Sequence, residues 1–168
     1  DSGLGTRDSG LVWHVVIPTG GGALLCGAWQ GFKEWIAAGV VHGATVPRLH
    51  AVQSAACAPI AHAWAAGAAH PVPVTRRPTV CGGIEIEHPS RGGAILEAIR
   101  ISAGSAVAVE DDAVLAERDR LAHLEGIYAE PTSAAAAAGL ADLARRGVVG
   151  TEEPVVVAIT GSGLKDSS

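Results

Sequence analysis

The chain has 168 residues and a mass of 16.9 kDa, which suits one domain or one lobe of a larger enzyme. Its 48% hydrophobic content and mean hydropathy of +0.30 support a buried core and exclude a disordered or collagen-like chain. A net charge of −5 supplies no basic field for nucleic acid, and no run of about 18 apolar residues without Gly, Pro or charge exists to span a membrane.

Four Trp, one Tyr and one Phe are too few aromatics for a base-stacking platform. The chain contains no Met and starts on a polar Gly/Ser stretch, Asp1 to Gly10, unlike a signal or transit peptide. Residues 1–12 are therefore read as an irregular start, and the chain as processed or a fragment. Cys26, Cys57 and Cys81 are odd in number and widely spaced, which fits buried thiols in a reducing compartment, so a cytoplasmic location is expected. The seven His residues form no HxxxH or HExxH group, and no metal is expected.

The first element expected is a strand over residues 13–17, ending at Pro18 and the triplet Gly20-Gly21-Gly22. Leu25, Trp29, Phe32 and Ile36 then recur at helical spacing over Ala23–Ala38. A strand over Arg48–Gln53 follows, and then a helix over Ile60–Ala68 with Pro59 in its first turn. Pro71, Pro73 and Pro78 mark a surface loop. Beyond it lie a helix over Arg91–Ser102, a short strand over Ala106–Val109, and a helix through Leu124 capped by Asp111 or Asp112. The last elements are a helix over Pro131–Arg146 and a strand over Val155–Ile159. Arg145 and Arg146 stand against the negative end of that helix, and Ala134 to Ala138 read as tight helix packing. Continuous apolar strands alternating with helices predict an α/β fold, a parallel sheet with helices on both faces in three layers.

The strand–glycine–helix unit is the strongest chemical signal. Glycines let the backbone approach an anion closely, and a helix start offers free N–H groups and partial positive charge. Gly20, Gly21, Gly22, Ala23 and Leu24 would cradle a phosphate; the plainer reading is a tight βα turn. Neither GxxxxGK[ST] nor GxGxxG is present, which argues against a nucleotide.

Four blocks then carry a family resemblance across residues 13–166. Pro18-Thr-Gly-Gly-Gly-Ala-Leu-Leu-Cys-Gly through Trp35 resembles the phosphate loop and helix of threonine synthase-like, fold type II pyridoxal-phosphate enzymes. Pro47 to Pro59, Glu125-Gly126-Ile127 with Glu130-Pro131-Thr132-Ser133-Ala134-Ala135, and Thr160-Gly161-Ser162-Gly163-Leu164-Lys165-Asp166 follow in the family's order. The resemblance implies that residues 13–168 are the C-terminal lobe, within the large domain, of such a lyase, with pyridoxal 5'-phosphate as cofactor. It implies that the cup amides hold the cofactor phosphate, that Thr160 faces the pyridine nitrogen, that Glu125 lines the ring edge, and that Ser133 stands behind it. Plainer roles are a strand-end cap for Thr160, a solvated carboxylate for Glu125 and a first-turn hydroxyl for Ser133.

By the same resemblance the Schiff-base lysine belongs to an N-terminal segment, so no catalytic residue is assigned here. Lys33 lies about 11 residues beyond the cup, roughly 16 Å along its helix, and Lys165 has no such role in the family. The implied reaction converts O-phosphohomoserine and water to threonine and phosphate. The plain Thr-Gly-Gly-Gly loop is closer to the dehydratase branch, so a threonine/serine dehydratase-like lyase is the alternative. A non-catalytic phosphate-ligand module or partner subunit is the other. The partners implied are an amino-acid substrate and an N-terminal lobe of the same enzyme, with a homodimer left open.

Overall fold

The computed structural model describes residues 13–40 and 45–165, so the irregular start expected over 1–12 and Asp166 of the tail block lie outside it. Four parallel strands, β1 (His14–Pro18), β2 (Arg48–Ser54), β3 (Ser105–Val109) and β4 (Val155–Val157), form one sheet in the order β3-β2-β1-β4. Five helices connect them: α1 (Ala23–Ala37), α2 (Pro59–Ala65), α3 (Gly92–Ile101), α4 (Asp111–Glu125) and α5 (Pro131–Arg145). Single 3-10 turns occur at Gly82–Ile84 and Gly163–Lys165.

The two faces of the sheet carry separate cores. Val15, Ile17, Leu49, Ala51 and Ala106 pack on Leu25 of α1 and on α2 and α3. Val16, Val52, Val107 and Val109 pack on Val114 of α4 and on the alanines of α5. Strands buried on both faces have no polar side to alternate with, which is why they read as continuous apolar runs. The expected three-layer α/β architecture is what forms.

Small residues set the closeness of the layers. Ala134, Ala135, Ala136 and Ala138 are buried, and a Cβ on Gly139 would stand 2.2 Å from Val52 Cγ2. The run is therefore a packing surface, as expected.

Several boundaries differ from the sequence reading. Helix α2 stops at Ala65, because Gly67 turns left-handed at φ +66° and the Ala68 N–H returns to Ala63 O. Strand β4 ends at Val157, not Ile159. Its ladder partner β1 closes on Pro18, which has no N–H to offer, and the last contact is Ala158 N–H to Val16 O at 3.0 Å. Neither Asp111 nor Asp112 caps α4: Glu110 occupies that position and makes no side-chain cap bond. Asp111 instead accepts from Thr79 Oγ1 at 2.6 Å and Val80 N–H at 3.0 Å, tying the Pro-rich loop to the helix start. Arg145 and Arg146 sit at the end of α5 and both pair with Asp142.

At the opposite end of the strands from the glycine triplet lies a buried pair, His14 and His50, stacked at 5.1 Å between centroids. His14 Nδ1 is 2.8 Å from His50 Nε2, and His14 Nε2 is 3.2 Å from Glu153 Oε2. The nearby Glu153 carboxylate favours the proton on His14 Nε2, although that nitrogen makes no well-aligned hydrogen bond, and His14 Nδ1 then accepts from His50 Nε2. His50 Nδ1 then keeps a bare lone pair with no partner among the described residues. Burial, the charge of His14 and that of Arg48 lower the His50 pKa to about 4. Burial also lowers that of His14, against the opposing pull of Glu153.

Both groups prefer to be neutral in the folded chain and take protons more readily when unfolded. Stability is therefore full above the unfolded value of 6.5 and falls as pH drops toward 4. His50 alone accounts for up to roughly 3 kcal/mol of that loss. Urea unfolding at pH 7.5 and 4.5 measures it, and His50→Gln should flatten the slope between them.

Candidate active site at the C-terminal ends of the strands

The chain leaves β1 through Pro18 and Thr19, and both are locked in place. Thr19 N–H donates to Val52 O at 2.7 Å, and Thr19 Oγ1 donates to Ile17 O at 2.8 Å. The buried Gln53 carboxamide does the rest. Its Nε2 donates to Thr19 O at 3.2 Å, while its Oε1 accepts from the N–H groups of Ile60 and Ala61 at 2.8 and 3.1 Å. One side chain thus joins the glycine loop to the start of α2.

Each glycine of the triplet has a different duty. A Cβ on Gly20 would press on Ile84 Cα and Ile86 Cγ1, both at 3.1 Å. Gly22 has φ +88° and sits 2.3 Å, as an imagined Cβ, from Ile95 Cδ1, so both conformation and packing require glycine. At Gly21 a Cβ would meet nothing within 4 Å. The missing side chain there leaves room for something other than protein.

Gly22 caps α1 without any side-chain bond, and the first helical hydrogen bond is Cys26 N–H to Gly22 O at 3.0 Å. The amides of Ala23, Leu24 and Leu25 precede that bond and are free to serve an anion. They open onto a cavity of about 350 Å³ lined by Gly20 to Leu25, Gly83, Glu130, Thr132 and Thr160. Six residues named from the sequence, Gly20, Gly21, Gly22, Ala23, Leu24 and Thr160, therefore meet in one place.

Glu125 does not join them. It is the exposed last residue of α4 and lines a separate apolar groove with Leu124, Leu140 and Val157. Gly126, at φ +68°, turns the chain after it. The chain returns through an Ala129–Ser162 bridge and a Glu130 N–H bond to Gly161 O at 3.1 Å, so Glu130 is the carboxylate that reaches the cavity. A Cβ on Gly161 would overlap that carboxylate, which explains the glycine. Glu130, Thr132 and Gln53 stood inside the resembling blocks without an assigned role, and Gly83 was not singled out. An acid before a Pro-capped helix and a lone amide inside an apolar strand were the available signals.

Ser133 is completely buried behind Thr160. Its Oγ accepts from Thr160 N–H at 3.0 Å and Gly161 N–H at 2.7 Å, and lies 2.9 Å from Thr160 Oγ1. The hydroxyl therefore holds the last loop rather than its own helix start. A second cavity of about 550 Å³, with Arg118 and Tyr128 on its far wall, shares Gly83, Glu130 and Thr132 with the first. Lys33 lies 5.1 Å from the Trp29 ring on α1, and neither Lys33 nor Lys165 lines either cavity. Cys81 is buried near Pro131 O, and burial pushes its thiol up to about 11, so it is no nucleophile.

In parallel α/β sheets ligands bind in the crevice beyond the C-terminal ends of the strands, where this cavity and the free amides of α1 lie. The family model described as "Pyridoxal-phosphate dependent enzyme" matches residues 5–161, and the chain belongs to that family. Its cofactor is pyridoxal phosphate, and the chain is threonine synthase-like. It is 38% identical over 153 residues to a threonine synthase of Methanosarcina acetivorans, covering 91% of this chain and 37% of the relative. A threonine synthase of Mycobacterium leprae is 33% identical over 158 residues, covering 94% and 41%. The chain thus spans about two fifths of the length of these relatives.

Among solved structures, a fungal L-serine ammonia-lyase from Rhizomucor miehei superposes with a TM-score of 0.69 at 22% identity, covering 90% of this chain and 45% of that one. Threonine synthase from Escherichia coli superposes at 0.64 and 18%, covering 89% and 32%. The fold is that of the fold type II enzymes.

Gly21 and Gly22 should separate site from scaffold. Gly22→Ala should destabilise the chain by about 2–4 kcal/mol through left-handed strain and the clash with Ile95. Gly21→Val should leave the melting temperature close to the parent's and weaken pyridoxal phosphate retention about tenfold, about 1.4 kcal/mol. Thermal melts and a fluorescence titration with pyridoxal phosphate measure the two effects.

Proposed function

We propose that this chain is the cofactor-phosphate-binding lobe of a threonine synthase-like lyase, converting O-phosphohomoserine and water to threonine and phosphate once joined to an N-terminal lobe. The observation that carries the reading is the cavity at the start of α1, lined together by the free first-turn amides, the open position at Gly21 and Thr160. These residues fit a pyridine ring bearing a phosphate. The amides of Gly20 to Leu24 would hold the phosphate dianion, aided by the positive end of α1. Thr160 would meet the ring nitrogen with a neutral hydroxyl. Bound pyridoxal phosphate supplies the electron sink that lets protons leave an amino-acid substrate.

The chain's own part is to bind, orient and exclude water. Thr19 and Gln53 keep the cup from shifting, and Ser133 keeps Thr160 on the cavity wall. A neutral partner at the nitrogen limits ring protonation compared with a carboxylate partner. Glu130 replaces Glu125 as the carboxylate assigned to the cavity in this reading. The second cavity beyond the shared wall of Glu130 and Thr132 gives the amino-acid portion of a substrate room to extend.

The family resemblance assigns the lysine that carries the cofactor to the N-terminal lobe, in keeping with a cavity that neither Lys33 nor Lys165 lines. That lobe has an apolar landing surface here. Edge strand β4 exposes Val156, and Leu124, Ile127 and Ile159 are exposed around it. The threonine synthase relatives favour this reading over a dehydratase, whose likeness rests on fold alone.

The test mixes the chain with pyridoxal phosphate, reduces with borohydride and maps labelled lysines. No stoichiometric label and no turnover are expected from the chain alone, with turnover of O-phosphohomoserine restored by adding the N-terminal lobe. A stoichiometric label on Lys165 with turnover would overturn the lysine assignment. A well-folded but inactive two-lobe complex would favour the phosphate-ligand module.

A further inference from the structure

The cavity at the start of α1 is short of positive charge. None of its lining residues is Lys or Arg, and Glu130 brings a carboxylate to its wall. The start of α1 contributes only about half a unit of positive charge. A phosphate monoester near neutral pH carries about −1.5 to −2 charges. The cup amides and the helix together leave most of that charge unbalanced. A cation rooted beside the cup would supply what the lining lacks.

Arg91 stands in that place. Its Cβ lies 3.5 Å from the point a Cβ on Gly22 would occupy, next to the Ile95 side chain that already requires glycine there. Gly22 is the residue from which α1 starts, so the Arg91 side chain springs from the rim of the cup. Its charge is felt on α1 itself. Burial raises the pKa of the Cys26 thiol, one turn beyond Gly22, and the charge of Arg91 pulls it back down. The residue is also uncommitted. It precedes α3 at the cap position but makes no side-chain cap bond. Ion pairs and carbonyl contacts among the described residues engage other arginines, such as Arg76, Arg118 and Arg100, while Arg91 is exposed and none of them engages it.

We propose that Arg91 is a phosphate-binding residue whose guanidinium closes over the glycine cup and pairs with the phosphate held by the amides of α1. This rests on the cofactor reading of the cup and adds a residue that lies in none of the four resembling blocks. A planar guanidinium gives two parallel N–H bonds to two phosphate oxygens, where a backbone amide gives one. It also brings the countercharge that neutral amides cannot. Because Arg91 belongs to the start of α3, the ligand then bridges two helices.

The experiment titrates the 168-residue chain with pyridoxal phosphate, with pyridoxal, which lacks the phosphate, and with inorganic phosphate, each at low and at high salt. Fluorescence reports the first two, and the amide resonances of Gly20 to Leu24 report the third. At low salt Arg91→Gln should weaken pyridoxal phosphate and inorganic phosphate about fivefold, the most that an exposed ion pair contributes. Pyridoxal binding should be unchanged. Arg91→Lys should keep the charge and most of the affinity. The difference between parent and Arg91→Gln should shrink at high salt, where exposed charges are screened. Equal phosphate affinity in the parent and folded Arg91→Gln would overturn the proposal and leave the cofactor reading intact. A loss of pyridoxal binding as large as that of pyridoxal phosphate would also overturn it, by marking a structural effect. Inorganic phosphate held through Arg91 by a chain that binds no pyridoxal phosphate would keep the proposal and remove the cofactor reading. A parent that binds neither would remove both.

Discussion

The arrangement at the top of the sheet depends on one buried amide. Gln53 has no access to solvent, so each unpaired polar atom would cost about 1–3 kcal/mol. Its geometry leaves little freedom. The NH2 group must find a carbonyl, and the oxygen must find donors that no strand partner still offers. Thr19 O supplies the first, and the free first-turn amides of α2 supply the second. The loop after β1 and the helix after β2 are thereby held in one register. Everything built on that loop, from the cup amides to the start of α1, inherits its position.

The other wall of the cavity is built by different means. α5 lies close to the sheet because Gly139 and its neighbouring alanines present no bulk to Val52. That closeness brings Ser133, at the start of α5, beneath the segment leaving β4. The segment could not continue as a strand beyond Val157, and its amides turn to Ser133 instead. A short edge strand and a close helix thus combine to put Thr160 on the cavity that the glycine loop also lines. The same region has Glu130 trapped between Gly161 and its own backbone bond, with no space for a larger residue at that glycine.

The two ends of the sheet answer to different pressures. At the C-terminal ends, polar groups are satisfied by protein except where they face the cavity. At the N-terminal ends, His14 and His50 are buried with a single shared proton between them and one ring nitrogen on each without a hydrogen-bond partner among the described residues. The first arrangement leaves capacity for a ligand; the second makes the fold sensitive to acid. Neither is visible in the apolar patterning, which treats both histidines as interruptions of a strand.

Periodicity and composition were enough for the layered α/β class, because strands buried on both sides and helices buried on one leave different apolar spacings in any chain. The glycine triplet after a strand and before an amphipathic helix was equally legible, since only glycine permits the φ of +88° found at Gly22. The block around Thr160 could be read through its family resemblance. What the chain alone could not decide was which acid reaches the site. Glu125 and Glu130 stand five positions apart within one resembling block, and the turn at Gly126 and the bridge from Ala129 to Ser162 choose between them. Nor could sequence spacing reveal that Ser133, Thr160 and Gly161 share one hydrogen-bond centre, or that Gln53 completes Thr19. Those contacts join residues between 27 and 34 positions apart, and they exist because tertiary packing leaves each buried polar atom a single place to go.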